Sequence, residues 1–211
     1  MKYCLITGGG SKFGQQLTEN LIQLGYHVYL VTGSPQHWIN NLQVTTIPVD
    51  WKTIGVKDIK RLLPKKPVDL IFFNHNASSL SQNKFKKNTI QNANDWQQSY
   101  FVACQLPFYL IHSMANCISP DTKIGWMLSN LISHPIDSQV GFADYIGNKF
   151  TNFCIMKSFA LNFPAGFFGV NPEQIGCNPN LAKEIVDLID NTSCQDLNGK
   201  IFYSDGRLFD M

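Results

Sequence analysis

The chain has 211 residues, which suits one domain with a continuous core rather than two small ones. Hydrophobic residues supply 44% and charged residues 15%, which excludes a disordered chain and predicts a surface rich in Asn, Gln, Ser and Thr. A formal charge of +2 is too small to argue for nucleic acid or an anionic membrane as partner, so Lys65-Lys66 and the run Lys84 to Lys87 read as solvated loops.

Tyr3 to Thr7 is a short apolar run and predicts a buried strand. Phe13, Leu17, Leu21 and Leu24 then recur at helical spacing, and Gly25 marks the end of that helix. Strands follow at His27 to Thr32, Val44 to Val49 and Asp69 to Phe73, with a helix over Val56 to Leu63 stopped by Pro64. One long helix is expected from Asn94 to Cys117, a fifth strand over Lys123 to Ser129, and a second long helix from Phe142 to Asn162. A sixth strand over Gly166 to Val170, a helix over Leu181 to Ile189 and a strand over Lys200 to Tyr203 complete the pattern. Strands alternating with helices imply right-handed crossovers. The expected class is α/β: a single doubly wound Rossmann-type domain over residues 1–211, with a parallel sheet of about seven strands and helices on both faces. Ligands of such sheets gather at the carboxyl ends of the strands.

The six cysteines form no CxxC pair, and Cys4, Cys104 and Cys154 lie within apolar runs. They read as small core hydrophobes in a reducing compartment, and no metal site is expected. The start, Met1 to Ile6, is too short an apolar run for a signal peptide, and no run reaches transmembrane length. A cytoplasmic protein is expected.

The first strand runs directly into Thr7-Gly8-Gly9-Gly10-Ser11-Lys12-Phe13-Gly14, where a helix begins. Glycines let backbone turn tightly and approach a pyrophosphate, and the helix start offers free N–H groups and a positive dipole end. Far along the chain, Tyr145 and Lys149 sit four apart in the second long helix, hence on one face. An ammonium near a phenol favours the phenolate, which predicts a lowered tyrosine pKa and a usable proton donor. Without the glycine loop upstream, the same pair would read as a surface pair.

Together these motifs resemble the short-chain dehydrogenase/reductase family over nearly the whole chain. Thr7, Gly8 and Gly14 match its TGxxxGxG loop, and Lys12 stands where the middle glycine usually sits, as in NADP-preferring and pteridine-reductase-like members. No Asp or Glu follows Thr32 to meet an adenosine 2′-hydroxyl, so NADP(H) is expected over NAD(H). The resemblance implies cofactor contacts from Gly8, Gly10, Ser11, Lys12, Phe13, Gly14, Thr32, Asp50, Asn76, Ala77, Tyr145 and Lys149. His75-Asn76-Ala77-Ser78 is similar to the family's NNAG segment and its NNAS variant; His75 itself reads as structural, and Asp50 reads equally well as a turn residue.

The resemblance further implies catalysis by Tyr145, Lys149 and a serine at the fifth strand's end. Ser129 is favoured, sixteen residues before Tyr145, with Ser133 and Asn130 as alternatives. Three departures stand out. Ala103 occupies the place of a family asparagine, Glu173 that of a glycine, and only about eight residues separate Pro172 from the helix at Leu181, a shortened substrate-binding loop. The implied function is NADP(H)-dependent reduction of a carbonyl or pteridine-like small molecule; the alternative is an NADP(H)-binding regulatory or structural subunit with little turnover. The resemblance also implies a homodimer or homotetramer, since the family pairs these long helices into a four-helix bundle, and here both are apolar over much of their circumference.

Overall fold

The computed structural model describes residues 1–38, 40–75, 93–129, 143–172 and 178–209. Seven strands form one sheet: β1 (Lys2–Thr7), β2 (Tyr26–Thr32), β3 (Val44–Pro48), β4 (Leu70–Phe73), β5 (Lys123–Met127), β6 (Gly166–Asn171) and β7 (Lys200–Tyr203). Their order is β3-β2-β1-β4-β5-β6-β7, and every pairing between them is parallel. Strand order reverses direction at β1, so the edge beyond β1 and β4 is the switch point where a crevice opens.

Alternation along the strands sends side chains to two apolar layers. Cys4, Ile6, Val28, Leu30, Phe168 and Val170 meet α1 (Lys12–Gln23) and α6 (Leu181–Asn191). Leu5, Ile71, Phe73, Ile124, Trp126 and Phe167 face the opposite side. There they meet α2 (Ile59–Leu62), α4 (Leu106–Ser113) and α5 (Ala143–Asn162), while α3 (Ala93–Tyr100) leads towards α4. A short α7 (Cys194–Leu197), capped by Ser193, precedes β7. Burial on both faces explains why the strands read as continuous apolar runs.

Two expectations are corrected here. The helix expected from Asn94 to Cys117 is α3 and α4 joined by a π-turn, Phe101–Gln105, and the chain ends it in a separate turn at Ala115–Cys117. The cause is Pro107, which has no N–H for an intrahelical bond and crowds the preceding turn. Cys154 is exposed rather than in the core, because α5 is apolar on more faces than the sheet covers; Cys4 and Cys104 are buried as expected. The five described cysteines are all free. Among the described residues no helix is long and apolar enough to cross a membrane, and no metal-ligating cluster occurs.

Candidate active site

β1 ends at Thr7, and the chain turns through Gly8 at φ +76°, a left-handed conformation that favours glycine. A Cβ on Gly8 would lie 2.7 Å from the His75 backbone nitrogen, and one on Gly14 only 2.4 Å from the Gly8 carbonyl oxygen. Glycine is therefore what lets α1 start directly on the loop. At Gly10 a Cβ would come within 3.0 Å of Thr32 Oγ1, so the loop also lies against the end of β2. Ser11 caps α1, its hydroxyl accepting from the Gly14 N–H at 3.0 Å. No acidic residue occupies the first turn, Lys12 is exposed there, and Phe13 packs partly into the α1 layer. This cradle fits a pyrophosphate: bare backbone, free helix N–H groups and no competing carboxylate.

Two of the expected cofactor residues are engaged locally. Thr32 is fully buried, and its hydroxyl accepts from the Ser34 N–H at 3.1 Å. Asp50, exposed after β3, accepts from the Lys52 N–H and the Thr53 hydroxyl, both at 3.0 Å, and these bonds hold its carboxyl below its ordinary value. It closes its own turn. Asn76 and Ala77 lie outside the described residues, as do Ser78, Asn130, Ser133 and Glu173.

Ser129 lies two residues past β5, buried, while Tyr145 and Lys149 occupy the first turns of α5. The phenol of Tyr145 is hydrogen-bonded to Ser129. The Lys149 ammonium donates to the Met127 carbonyl at 2.6 Å and lies 5.7 Å from the centre of the Tyr145 ring. Burial pushes Lys149 down to about 8. It pushes the Tyr145 phenol up as well, with the Ser129 bond offsetting part of that. The lowered tyrosine pKa expected from the pair's spacing is therefore not found. The ammonium is drawn to the end of β5 and meets the ring, and desolvation of the phenolate outweighs it.

The wall behind this pair is polar. His75 is buried, with Nδ1 2.5 Å from Thr7 Oγ1, and its ring stacks on Trp51. Asn148 is buried beside Lys149 and donates to the Ser99 hydroxyl at 3.2 Å, while the Cys104 thiol donates to the Asn148 carbonyl. Asn171, at the carboxyl end of β6, is buried with no side-chain hydrogen-bond partner among the described residues. Sequence reading assigned nothing to Asn148 or Asn171. Their one visible signal is a polar residue at a core-facing position: Asn148 between Tyr145 and Lys149, Asn171 closing an apolar strand.

No protein-family model and no curated protein matches the chain. Solved structures do. A carbonyl reductase from Pseudomonas aeruginosa PAO1, in complex with NADP, matches with a TM-score of 0.78 at 14% identity, covering 100% of both chains. The carbonyl reductase Sniffer of D. melanogaster gives 0.74 at 15% identity, again over 100% of both. A chain assigned as a short-chain alcohol dehydrogenase from Burkholderia multivorans gives 0.74 at 16% identity, over 98% of each. The fold is that of the short-chain dehydrogenases/reductases. At such identities the likeness is one of architecture, and chemistry has to be argued from the side chains.

Proposed function

We propose that this chain is an NADP(H)-dependent oxidoreductase that reduces a carbonyl or pteridine-like compound. One observation carries the reading: Ser129, the Tyr145 phenol and the Lys149 ammonium meet at the same sheet edge where the glycine loop opens. Gly8, Gly10, Ser11, Lys12, Phe13 and Gly14 would hold the pyrophosphate and the adenosine end. The exposed ammonium of Lys12, with no carboxylate following β2, favours a 2′-phosphate. Asp50, Asn76 and Ala77 would line the adenine and ribose, and Thr32 would shape the loop by supporting Gly10.

When bound, the reduced dinucleotide supplies the hydride. Tyr145, oriented by Ser129, would give its proton to the oxygen of a carbonyl or to the nitrogen of a pteridine-like C=N bond as the hydride reaches the carbon. Lys149 stabilises the phenolate left behind. Its ammonium carries three donors, so it can keep the Met127 bond and offer another to the nicotinamide ribose. The few residues between Pro172 and α6 would make a shorter cover than a longer loop could, which would suit a flat, bulky substrate better than a small one. The NADP complex of the Pseudomonas aeruginosa carbonyl reductase supports the choice of dinucleotide.

Fluorescence titration tests the first half: NADPH should bind at least about tenfold more tightly than NADH. Equal or tighter NADH binding removes the Lys12 argument. For the second half, Tyr145→Phe should lower NADPH-dependent carbonyl reduction by about 10²- to 10⁴-fold while leaving NADPH binding intact. Binding without turnover, identical in Tyr145→Phe, would instead support the dinucleotide-binding subunit.

A further inference from the structure

Asn171 is the last residue of β6 and only 1% exposed, yet neither its Nδ2 nor its Oδ1 has a hydrogen-bond partner among the described residues. The other buried side chains with an unmet polar atom, Trp38, Trp126 and Asn152, each leave a single one. A buried amide lacking both its donor and its acceptor bonds loses stability that an apolar side chain of the same shape would keep. Its place in the sheet gives that amide a use. In β6, Phe168 and Val170 point into the layer of α1 and α6 and Phe167 into the opposite one, so alternation turns Asn171 towards the side of α5. The Leu128 N–H donates to the Val170 carbonyl at 2.8 Å, which sets Leu128 beside Asn171 and Ser129 one residue further on. The glycine loop follows β1, on the far side of β4. Asn171 thus belongs to the half of the crevice that holds Ser129 and Tyr145, not to the half that holds the loop.

We infer that Asn171 is a specificity-determining residue that reads an amide-like edge, a ring N–H next to a C=O, on the substrate reduced at Tyr145. The inference rests on the reductase reading and narrows its substrate class. A side-chain amide offers Nδ2 as donor and Oδ1 as acceptor in one plane. A plain ketone or aldehyde brings only an acceptor and leaves Oδ1 unmet. A heterocyclic lactam meets both atoms at once with a pair of parallel hydrogen bonds. Burial makes the discrimination strong, because a substrate lacking the N–H leaves the acceptor desolvated and unpaired. Isatin has the required chemistry in its smallest form: a ring N–H and adjacent carbonyl form the lactam edge, and a ketone stands next to it. On reduction the ketone carbon takes the hydride, its oxygen takes the Tyr145 proton, NADPH becomes NADP⁺ and solvent restores the phenol. The lactam edge is untouched by the reaction, so Asn171 can hold it throughout.

The test compares isatin with N-methylisatin, which keeps the ketone and loses only the N–H. Wild-type kcat/KM, followed by NADPH oxidation, should favour isatin by about tenfold or more. Asn171→Leu should bring that preference to within about twofold by lowering isatin turnover. N-methylisatin turnover and the NADPH Kd should each move by less than about threefold. A merely structural role would lower both probes alike, and that result overturns the inference, as does a wild type indifferent to the N–H. An NADPH Kd weakened along with both probes would assign the amide to the dinucleotide and overturn it too. In denaturant unfolding without ligand, Asn171→Leu should shift the equilibrium about fivefold or more towards the native state, because it removes a buried amide without a partner. A destabilised or unfolded variant would mean that the fold itself satisfies the amide, and would sink the inference. Wild type that oxidises no NADPH with either probe refutes the reductase reading on which the inference rests. Equal and measurable rates on the two probes refute Asn171 alone.

Discussion

Burial, more than charge pairing, sets the proton affinities of this site. Lys149 and His75 are both held below their ordinary values by desolvation, and Tyr145 above its own. For His75 the consequence is measurable. Its pKa falls from 6.5 to about 4 on folding, so the native state takes up its proton later than the unfolded chain does. The stability this contributes is complete above about pH 6.5 and is lost as pH falls towards 4, to the extent of about 3 kcal/mol. Denaturant unfolding of the wild type should show that limb, and His75→Phe should flatten it; an unchanged limb in the variant would assign it elsewhere. At this scale Tyr145, Lys149 and Ser129 were legible from spacing and motif context. The direction of the tyrosine pKa was not, because spacing puts two side chains on one face without saying that a main-chain carbonyl will attract one of them.

Glycines divide sharply by the space around them. Gly14 has none, with its would-be Cβ 2.4 Å from the Gly8 carbonyl, whereas Gly147, exposed on α5, has nothing described within 4 Å. Gly14→Ala should therefore push α1 off the loop, cost about 1–3 kcal/mol and abolish measurable NADPH binding. Gly147→Ala should add about 0.5–1 kcal/mol through helix propensity alone, without changing that binding. Unfolding curves and fluorescence titrations read both; a tolerated Gly14→Ala would contradict the tight fit of helix on loop. Element order and nearly every boundary were visible in the periodicity. The break at Phe101–Gln105 was not read, although Pro107 was its signal, because the apolar positions on either side continue at helical spacing through the turn.

At the scale of the whole molecule, large apolar side chains among the described residues are exposed on α3, α4 and α5. Trp96 on α3, Phe108 on α4, and Phe150 and Leu161 on α5 are 49%, 40%, 50% and 87% exposed. Pairing of these helices in a homodimer or homotetramer would cover such side chains. Sedimentation should give an oligomer at micromolar concentration, and Phe108→Asp combined with Phe150→Asp should move it towards monomer with a lower Tm. A wild-type monomer would refute that assembly.

Read alone, the sequence determined the α/β class, the order of strands and helices, the glycine loop and the Tyr145–Lys149 pair. All of these are properties of short windows, where hydrophobic period, glycine and proline speak directly about backbone shape. Only the tertiary structure decided that Cys154 faces outward, that Lys149 reaches Met127 and that His75 meets Thr7. Such partners lie tens of residues apart or depend on how much of a helix the sheet covers. They meet only once the parallel register brings the carboxyl ends of β1, β4 and β5 side by side.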